Sequence, residues 1–275
     1  MKIGINVMSS IREMREDFEG TASKLKSWGC DYFEAMSDWG ARQETVDHYA
    51  QFTGESYWDR ENTLKRLEYL RSIGMDIKGM FVFDELLEEQ AKDLGIYCRD
   101  NHIGYVVLSF LDYGAVDEIY EKISLIKKVS EVLKDYGVRL YLHNHEHDMN
   151  IVTDRDGRDK AMIDVFLEHL SPEELMLEVD TGWLIYAGID PVAYVAEHED
   201  RIAILHLKDI VPDFKTRDRD KIFVACGKGV TDFKALFNAL SPKKRDEILY
   251  VIDQDNSQGS ILDDLRDGIV YLKAL

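Results

Sequence analysis

Short apolar runs alternate with amphipathic stretches from one end of the chain to the other. The runs are KIGINV (2–7), DYFEAM (31–36), MDIKGMFVF (75–83), GYVVLSF (104–110), VRLYLHNH (138–145), LMLEVD (175–180), RIAILHLKD (201–209) and EILYVIDQD (247–255). They are mostly continuous rather than alternating, the pattern of parallel strands buried on both faces. Helical patterns fill the gaps: one running to Trp28 and stopping at Gly29, then 58–73, 116–136, 158–170, 184–197, 231–240 and 259–274. Gly74 and Gly137 stand where two of them stop. Eight β-α units fit a closed (β/α)8 barrel forming a single domain over 1–275. A doubly wound open sheet usually carries a Gly-rich first turn, and MSSIRE after the first run has none. The longer stretches 37–57 and 210–229 are candidate lids over the barrel mouth.

Composition narrows the partners. The chain has 275 residues, with 34 Lys+Arg against 53 Asp+Glu, a formal net charge of −19. A nucleic-acid binder needs the opposite sign to displace counterions from phosphates, and a polybasic membrane-surface protein is disfavoured for the same reason. With 45% hydrophobic residues and only 4 Pro, the chain is no disordered acidic tail. No apolar stretch approaches the ~18 to 20 residues of a membrane span. MKIGINVMSSIREM lacks the apolar core and cleavage site of a secretory signal. Cys30, Cys98 and Cys226 form no disulfide framework or zinc knuckle. A reducing cytoplasm is the expected compartment.

The remaining polar residues are not scattered. Barrel enzymes build their sites at the C-terminal ends of the strands. Glu34 falls at the end of the second run. His143, Asn144 and His145 end the fifth, with Glu146, His147 and Asp148 just beyond. Glu178 and Asp180 end the sixth, His206, Lys208 and Asp209 the seventh, Asp253 and Asp255 the eighth. Three of the 8 histidines lie within five residues. A charge in such a run is costly unless paired or coordinated. A lone strand-end His is more often structural, and Asp180 before Thr181-Gly182 is also a fitting helix N-cap. The recurrence at equivalent places favours a divalent first-row metal, Mn, Fe, Co or Zn, on mixed imidazole and carboxylate ligands. By alternation, His143 and His145 share a face, as do Glu178 and Asp180, His206 and Lys208, and Asp253 and Asp255. Charge runs such as EDFE and KRDE read as solvated helix faces.

At LYLHNH (140–145), LEVDTGW (177–183), ILHLKD (204–209), GKGVTDF (227–233) and VIDQD (251–255), the chain resembles the xylose-isomerase-like TIM-barrel superfamily of sugar (phosphate) isomerases and epimerases. The resemblance implies one divalent cation held by His143, Asp180, His206 and Asp253, converging to ~2.0–2.3 Å from one point. Two positions depart from the common pattern. His143 replaces a Glu on strand five, and Asp253 replaces a longer Glu on strand eight. In the epimerases those glutamates also form the acid/base pair. The implied chemistry is proton abstraction next to a sugar carbonyl through a metal-stabilised enediolate. His145, or Glu146 with Glu34, is the candidate base, and Lys208 the candidate polarising group or proton carrier. Asn144, Glu178 and Asp255 would support ligands or substrate. Trp183, with Trp39 and Trp58, is a candidate either to stack on a sugar ring or to serve as ordinary packing.

The implied partner is a small-molecule sugar or keto-sugar, with no nucleic acid and no membrane; a homo-oligomer is an analogy with other barrels. The alternatives are a metal-dependent lyase or dehydratase of an inosose or keto-sugar, and a non-catalytic sugar-binding barrel. Endonuclease IV shares the superfamily, but its strand-six motif continues to a His where this chain has Trp183. Its trinuclear zinc site also needs more histidines than the N-terminal half holds.

Overall fold

The computed structural model describes residues 1–53 and 58–275. Eight parallel strands close on themselves: β1 Gly4–Asn6, β2 Tyr32–Met36, β3 Ile77–Val82, β4 Tyr105–Leu108, β5 Arg139–His143, β6 Met176–Asp180, β7 Ile202–Leu207 and β8 Leu249–Ile252. Gly4 pairs with Tyr32 of β2 on one side and with Val251 of β8 on the other, which completes the ring. The strands are almost wholly buried, because helices cover their outer faces and side chains fill the inside. All eight predicted strands are present, one or more residues shorter than the apolar runs.

Register slips at two places, Phe33/Glu34 between β2 and β3 and Leu177/Glu178 between β6 and β7. Such irregularities re-aim side chains, and both fall beside a buried glutamate. Gly79 on β3 has a packing reason. A Cβ there would stand 2.0 Å from Tyr105 Cε2, so only glycine lets this ring lie across the barrel interior.

Three sequence expectations need correction. Residues 158–170 are not one helix. Ile151–Thr153 and Asp159–Ala161 form a hairpin, and the helix begins at Met162. The hairpin is fastened by Lys160, whose ammonium bonds Asp154 (2.6 Å), Asp156 (2.8 Å) and Glu168 (2.6 Å). Residues 184–197 split into Thr181–Tyr186 and Pro191–Glu197. Gly188 between them has φ +84, and Asp190 caps the second helix ahead of Pro191. The stretch 37–57, a candidate lid, carries the helix Gln43–Thr53, and its residues 54–57 lie outside the described residues, so the lid expectation is neither met nor overturned. Trp39 and Trp58 are packing residues. Both are buried, Trp58 among Phe18 and Phe33 and Trp39 beneath Arg60.

The 210–229 stretch is an arm. Its base is a short ladder, Asp209–Ile210 with Phe223–Val224. Ile210, Val211, Ile222 and Phe223 form a small apolar cluster with Trp183.

Candidate metal centre

The floor of the site is a buried carboxyl pair. Glu34 does not end β2, which runs two residues further to Met36. It is fully buried and takes hydrogen bonds from Asn6 Nδ2 (3.0 Å) and Tyr105 OH (3.0 Å), with His206 Nε2 at 2.8 Å. Glu178, equally buried, has Oε1 2.9 Å from His143 Nδ1 and 3.0 Å from His206 Nε2. Burial and the neighbouring Glu34 push the Glu178 carboxyl well above its usual range. Burial acts on Glu34 too, but the His206 imidazole outweighs it and holds that group low. Sequence reasoning missed Asn6 and Tyr105, although Asn6 is a buried polar residue at a strand end like the others.

Above this floor, His143, Asp180, His206 and Asp253 each present a ligand atom, all within 4.8 Å of one another and all buried. The floor orients the imidazoles. With Nδ1 of His143 engaged by Glu178, its Nε2 is left for another partner. With Nε2 of His206 between two carboxyl groups, its Nδ1 is left, and that buried atom has no hydrogen-bond partner. This is the carboxylate–imidazole arrangement that prepares a histidine for a metal. Asp180 is both of the things its sequence context allowed. Its Oδ1 accepts the Trp183 N–H at 2.8 Å and caps the helix Thr181–Tyr186, while its buried Oδ2 accepts no hydrogen bond. His206 Nδ1 and Asp180 Oδ2 make no hydrogen bond, and their nearest charged neighbours are other residues of the site, Asp253 Oδ2 at 3.4 Å from His206 Nδ1 and Lys208 Nζ at 3.3 Å from Asp180 Oδ2; two imidazoles and two carboxylates gathered in this way fit a first-row divalent cation.

Charge in this layer is finely set. Burial and His206 hold His143 well below the usual imidazole range. Burial would lower His206 also, but Glu178 and Glu34 raise it well above that range. Lys208, only 1% exposed, lies among Asp253 (2.9 Å), Asp255 (3.0 Å) and Asp180 (3.3 Å). Those carboxylates overcome burial and keep it charged. Burial raises Asp180 to about 6 against the pull of Lys208; for Asp253, Lys208 and His206 overcome burial and hold it low. Burial also raises Asp255. Gly182 leaves room for the lysine stem, since a Cβ there would lie 2.7 Å from Lys208 Cγ.

The remaining predicted residues form the walls. Asn144 clamps Asp180 by accepting its backbone N–H at 2.8 Å. His145 is half-buried, with its ring 4.8 Å from His143 and 5.6 Å from Trp183; Nδ1 has no partner, and burial with Lys208 nearby lowers its pKa to about 3. Glu146 sits on the rim, paired to Arg219 of the arm at 2.9 Å, while Glu34 lies on the floor. The two therefore do not come together. The Arg219 guanidinium stacks 4.4 Å over Trp183. Two further acids, visible in the sequence only as residues at or just beyond strand ends, have roles the sequence did not assign. Asp148 accepts the His145 N–H (2.6 Å) and the Tyr113 hydroxyl, fixing the HNHEHD turn. Asp209 accepts four backbone N–H groups, from Ile210, Gly227, Gly229 and Thr231, at 2.8–3.0 Å. That explains why HLKD and GKGVTDF occur together: the acid of one motif is the anchor of the other.

Known proteins bear on this geometry. The family model described as xylose isomerase-like TIM barrel matches residues 22–275. An inosose dehydratase of Clostridium beijerinckii (strain ATCC 51743 / NCIMB 8052) is 27% identical over 148 residues, 50% of this chain and 43% of that relative. The chain thus spans under half the length of the curated relatives it first matches. A sugar phosphate isomerase/epimerase structure from Parabacteroides distasonis ATCC 8503 superposes with a TM-score of 0.78 at 18% identity, covering 100% of this chain and 98% of that one. The IOLI protein, solved with a bound zinc atom, superposes with a TM-score of 0.67 at 16% identity over 99% of each chain. At these identities the structures share the fold. Fold, motif order and the extent of the family match agree, and the chain belongs to the xylose isomerase-like TIM barrel family.

Proposed function

We propose that the protein is a divalent-metal-dependent isomerase or epimerase of a sugar or keto-sugar, working by proton removal next to a carbonyl. The observation that carries this reading is the convergence of ligand atoms of His143, Asp180, His206 and Asp253, all buried and within 4.8 Å of one another. A cation bound there would act as a Lewis acid for sugar oxygens and offset charge developing at the carbonyl. The protein's own groups do the rest. His145, whose buried Nδ1 has no hydrogen-bond partner beside the centre, is the group placed to accept a proton from substrate. Lys208, held charged by three carboxylates, donates a hydrogen bond or a proton to a substrate oxygen. Glu34 and Glu178 orient His143 and His206 rather than meet substrate, because both are fully buried beneath them. Trp183 and Arg219 bound the mouth.

One observation favours a second reading, loss of a β-hydroxyl by a lyase. The two residues that replace the usual glutamates are both committed elsewhere, His143 to Glu178 and Asp253 to Lys208 and Ser9. That leaves one base, His145, and one acid, Lys208, an asymmetric pair suited to elimination. The inosose dehydratase relative fits this reading. Metal analysis of the native protein, with keto-sugars and inososes incubated in deuterated water, tests both. Bound metal with C–H exchange and no new absorbance supports the isomerase; a growing enone or dione absorbance supports the lyase. A protein with neither metal nor exchange refutes both.

A further inference from the structure

Lys208 is the buried ammonium of the centre, and a side chain rather than a strand holds its main chain. β6 stops at Asp180, opposite His206 of β7, and the chain turns at once into the helix Thr181–Tyr186. Lys208, two residues past His206, therefore lies beyond the ladder between these strands. An N–H or C=O left unpaired at this buried place would be costly. The Thr181 hydroxyl stands in for the missing strand residue. Its Oγ1 accepts the Lys208 N–H at 3.0 Å and donates to the Lys208 carbonyl at 2.8 Å, with the His206 carbonyl at 3.2 Å. The Thr231 hydroxyl adds a bond to the same Lys208 carbonyl at 3.3 Å. Thr181 is fully buried, away from bulk water that could substitute for it. Helix capping does not account for this hydroxyl, because the cap bond comes from Asp180 Oδ1.

The residues on either side of Thr181 act on the same lysine. Asp180 Oδ2 lies 3.3 Å from Lys208 Nζ, and Gly182 leaves the space that the lysine stem fills, since a Cβ there would stand 2.7 Å from Cγ and 3.0 Å from Cδ. Lys208 Nζ also reaches Asp253 Oδ2 at 2.9 Å, the oxygen that lies 3.4 Å from His206 Nδ1. The ammonium thus ends against two of the four candidate ligands. We infer that Thr181 is a positioning residue: its hydroxyl pins the Lys208 main chain so that the side chain, threaded past Gly182, delivers its ammonium to the edge of the metal centre. The inference rests on the reading of Lys208 as the group that donates to a substrate oxygen. Three consecutive residues then serve one lysine: Asp180 meets its ammonium, Thr181 fixes its backbone and Gly182 makes room for its stem.

The test follows the ammonium itself and so does not depend on turnover. Lys208 and Lys160 of the hairpin are both buried, and each lies against three carboxylates. In NMR spectra of protein carrying isotope-labelled lysine, both should give slowly exchanging ammonium signals, and substitution of each by Met assigns it. Thr181→Val and Thr181→Ala remove the hydroxyl, and two variants guard against misfolding of one. Each should speed hydrogen exchange at the Lys208 ammonium by roughly tenfold or more, with Lys160 unchanged as the internal control. Thr181→Ser, which keeps the hydroxyl, should exchange as wild type does. With keto-sugars and inososes in deuterated water, the hydroxyl-free variants should lower kcat for C–H exchange by about a hundredfold, with KM within about threefold. A Lys208 signal that does not move in these variants, or that speeds up no more than that of Lys160, overturns the inference. So does a serine variant that behaves like the valine one. Absence of C–H exchange in the wild type would refute the proposed function while leaving the ammonium readout intact.

Discussion

Asp180 divides its two oxygens between two tasks, and substitution can separate them. Asparagine caps a helix about as well as aspartate but cannot supply the charge a divalent cation needs. Asp180→Asn should therefore leave the thermal midpoint nearly unchanged while bound metal, measured by mass spectrometry after dialysis, falls to background. Asp180→Ala should lose the metal and also about 1 kcal/mol of stability with the Trp183 N–H bond. If D180N keeps stoichiometric metal, Asp180 is only a cap. Residues such as His143, Asp180, His206 and Asp253 were legible in the sequence because a polar side chain in an apolar strand is conspicuous. Tyr105 was not, and Asp148 was visible only as an acid beyond a strand end, with no role attached. A tyrosine counts as apolar in a strand, and whether its hydroxyl meets Glu34 is decided by how the barrel closes.

Strands were more legible than loops, for a reason visible in single elements. A buried parallel strand must be apolar along its length, so its sequence reports its environment directly. The hairpin 151–161 carries no such constraint. Its shape depends on Lys160 reaching three carboxylates, a tertiary event that local periodicity does not encode. Gly79 shows the same dependence inside a strand. Nothing in IKGMFV announces that Tyr105 of the next strand will lie against it. Gly79→Ala should force the ring aside, break its bond to Glu34 and destabilise the protein by about 1–3 kcal/mol, the usual cost of overpacking. Tyr105→Phe, which removes only the hydroxyl, should cost less. Urea denaturation of the two variants measures the difference; an unaffected G79A would show that the interior has slack.

At the scale of the whole molecule, most of the 19 surplus acids lie on the surface, and a few are structural. Closure of the barrel depends on one of these. β1 has only three residues, so neighbours reinforce it. Tyr32 of β2 crosses Gly4, its hydroxyl donating to Tyr250 O (2.8 Å) and accepting from Tyr250 N (3.0 Å) on the far side. Asp31 adds a clasp. Its Oδ2 accepts the Ile3 N–H at 2.8 Å and the Lys273 ammonium at 2.6 Å, joining the first strand to the last helix, Ile261–Lys273. Burial would raise the Asp31 pKa, but Lys273 and the Ile3 N–H outweigh it and hold it below the usual value. A carboxyl with a depressed folded pKa stabilises the fold above its unfolded pKa, about 3.9, and loses that contribution as pH falls through the folded value. Both partners are about one-third exposed, so solvent screening limits the ion pair to about 1 kcal/mol. Asp31→Asn should therefore lower the urea midpoint by a constant amount between pH 5 and 8. The gap from wild type should begin to close at about pH 4, where the unfolded carboxyl protonates, and vanish once the pH falls below the depressed folded value, where the carboxyl is protonated in both states. A gap that persists undiminished at pH 3 would mean that Asp31 acts through packing rather than charge.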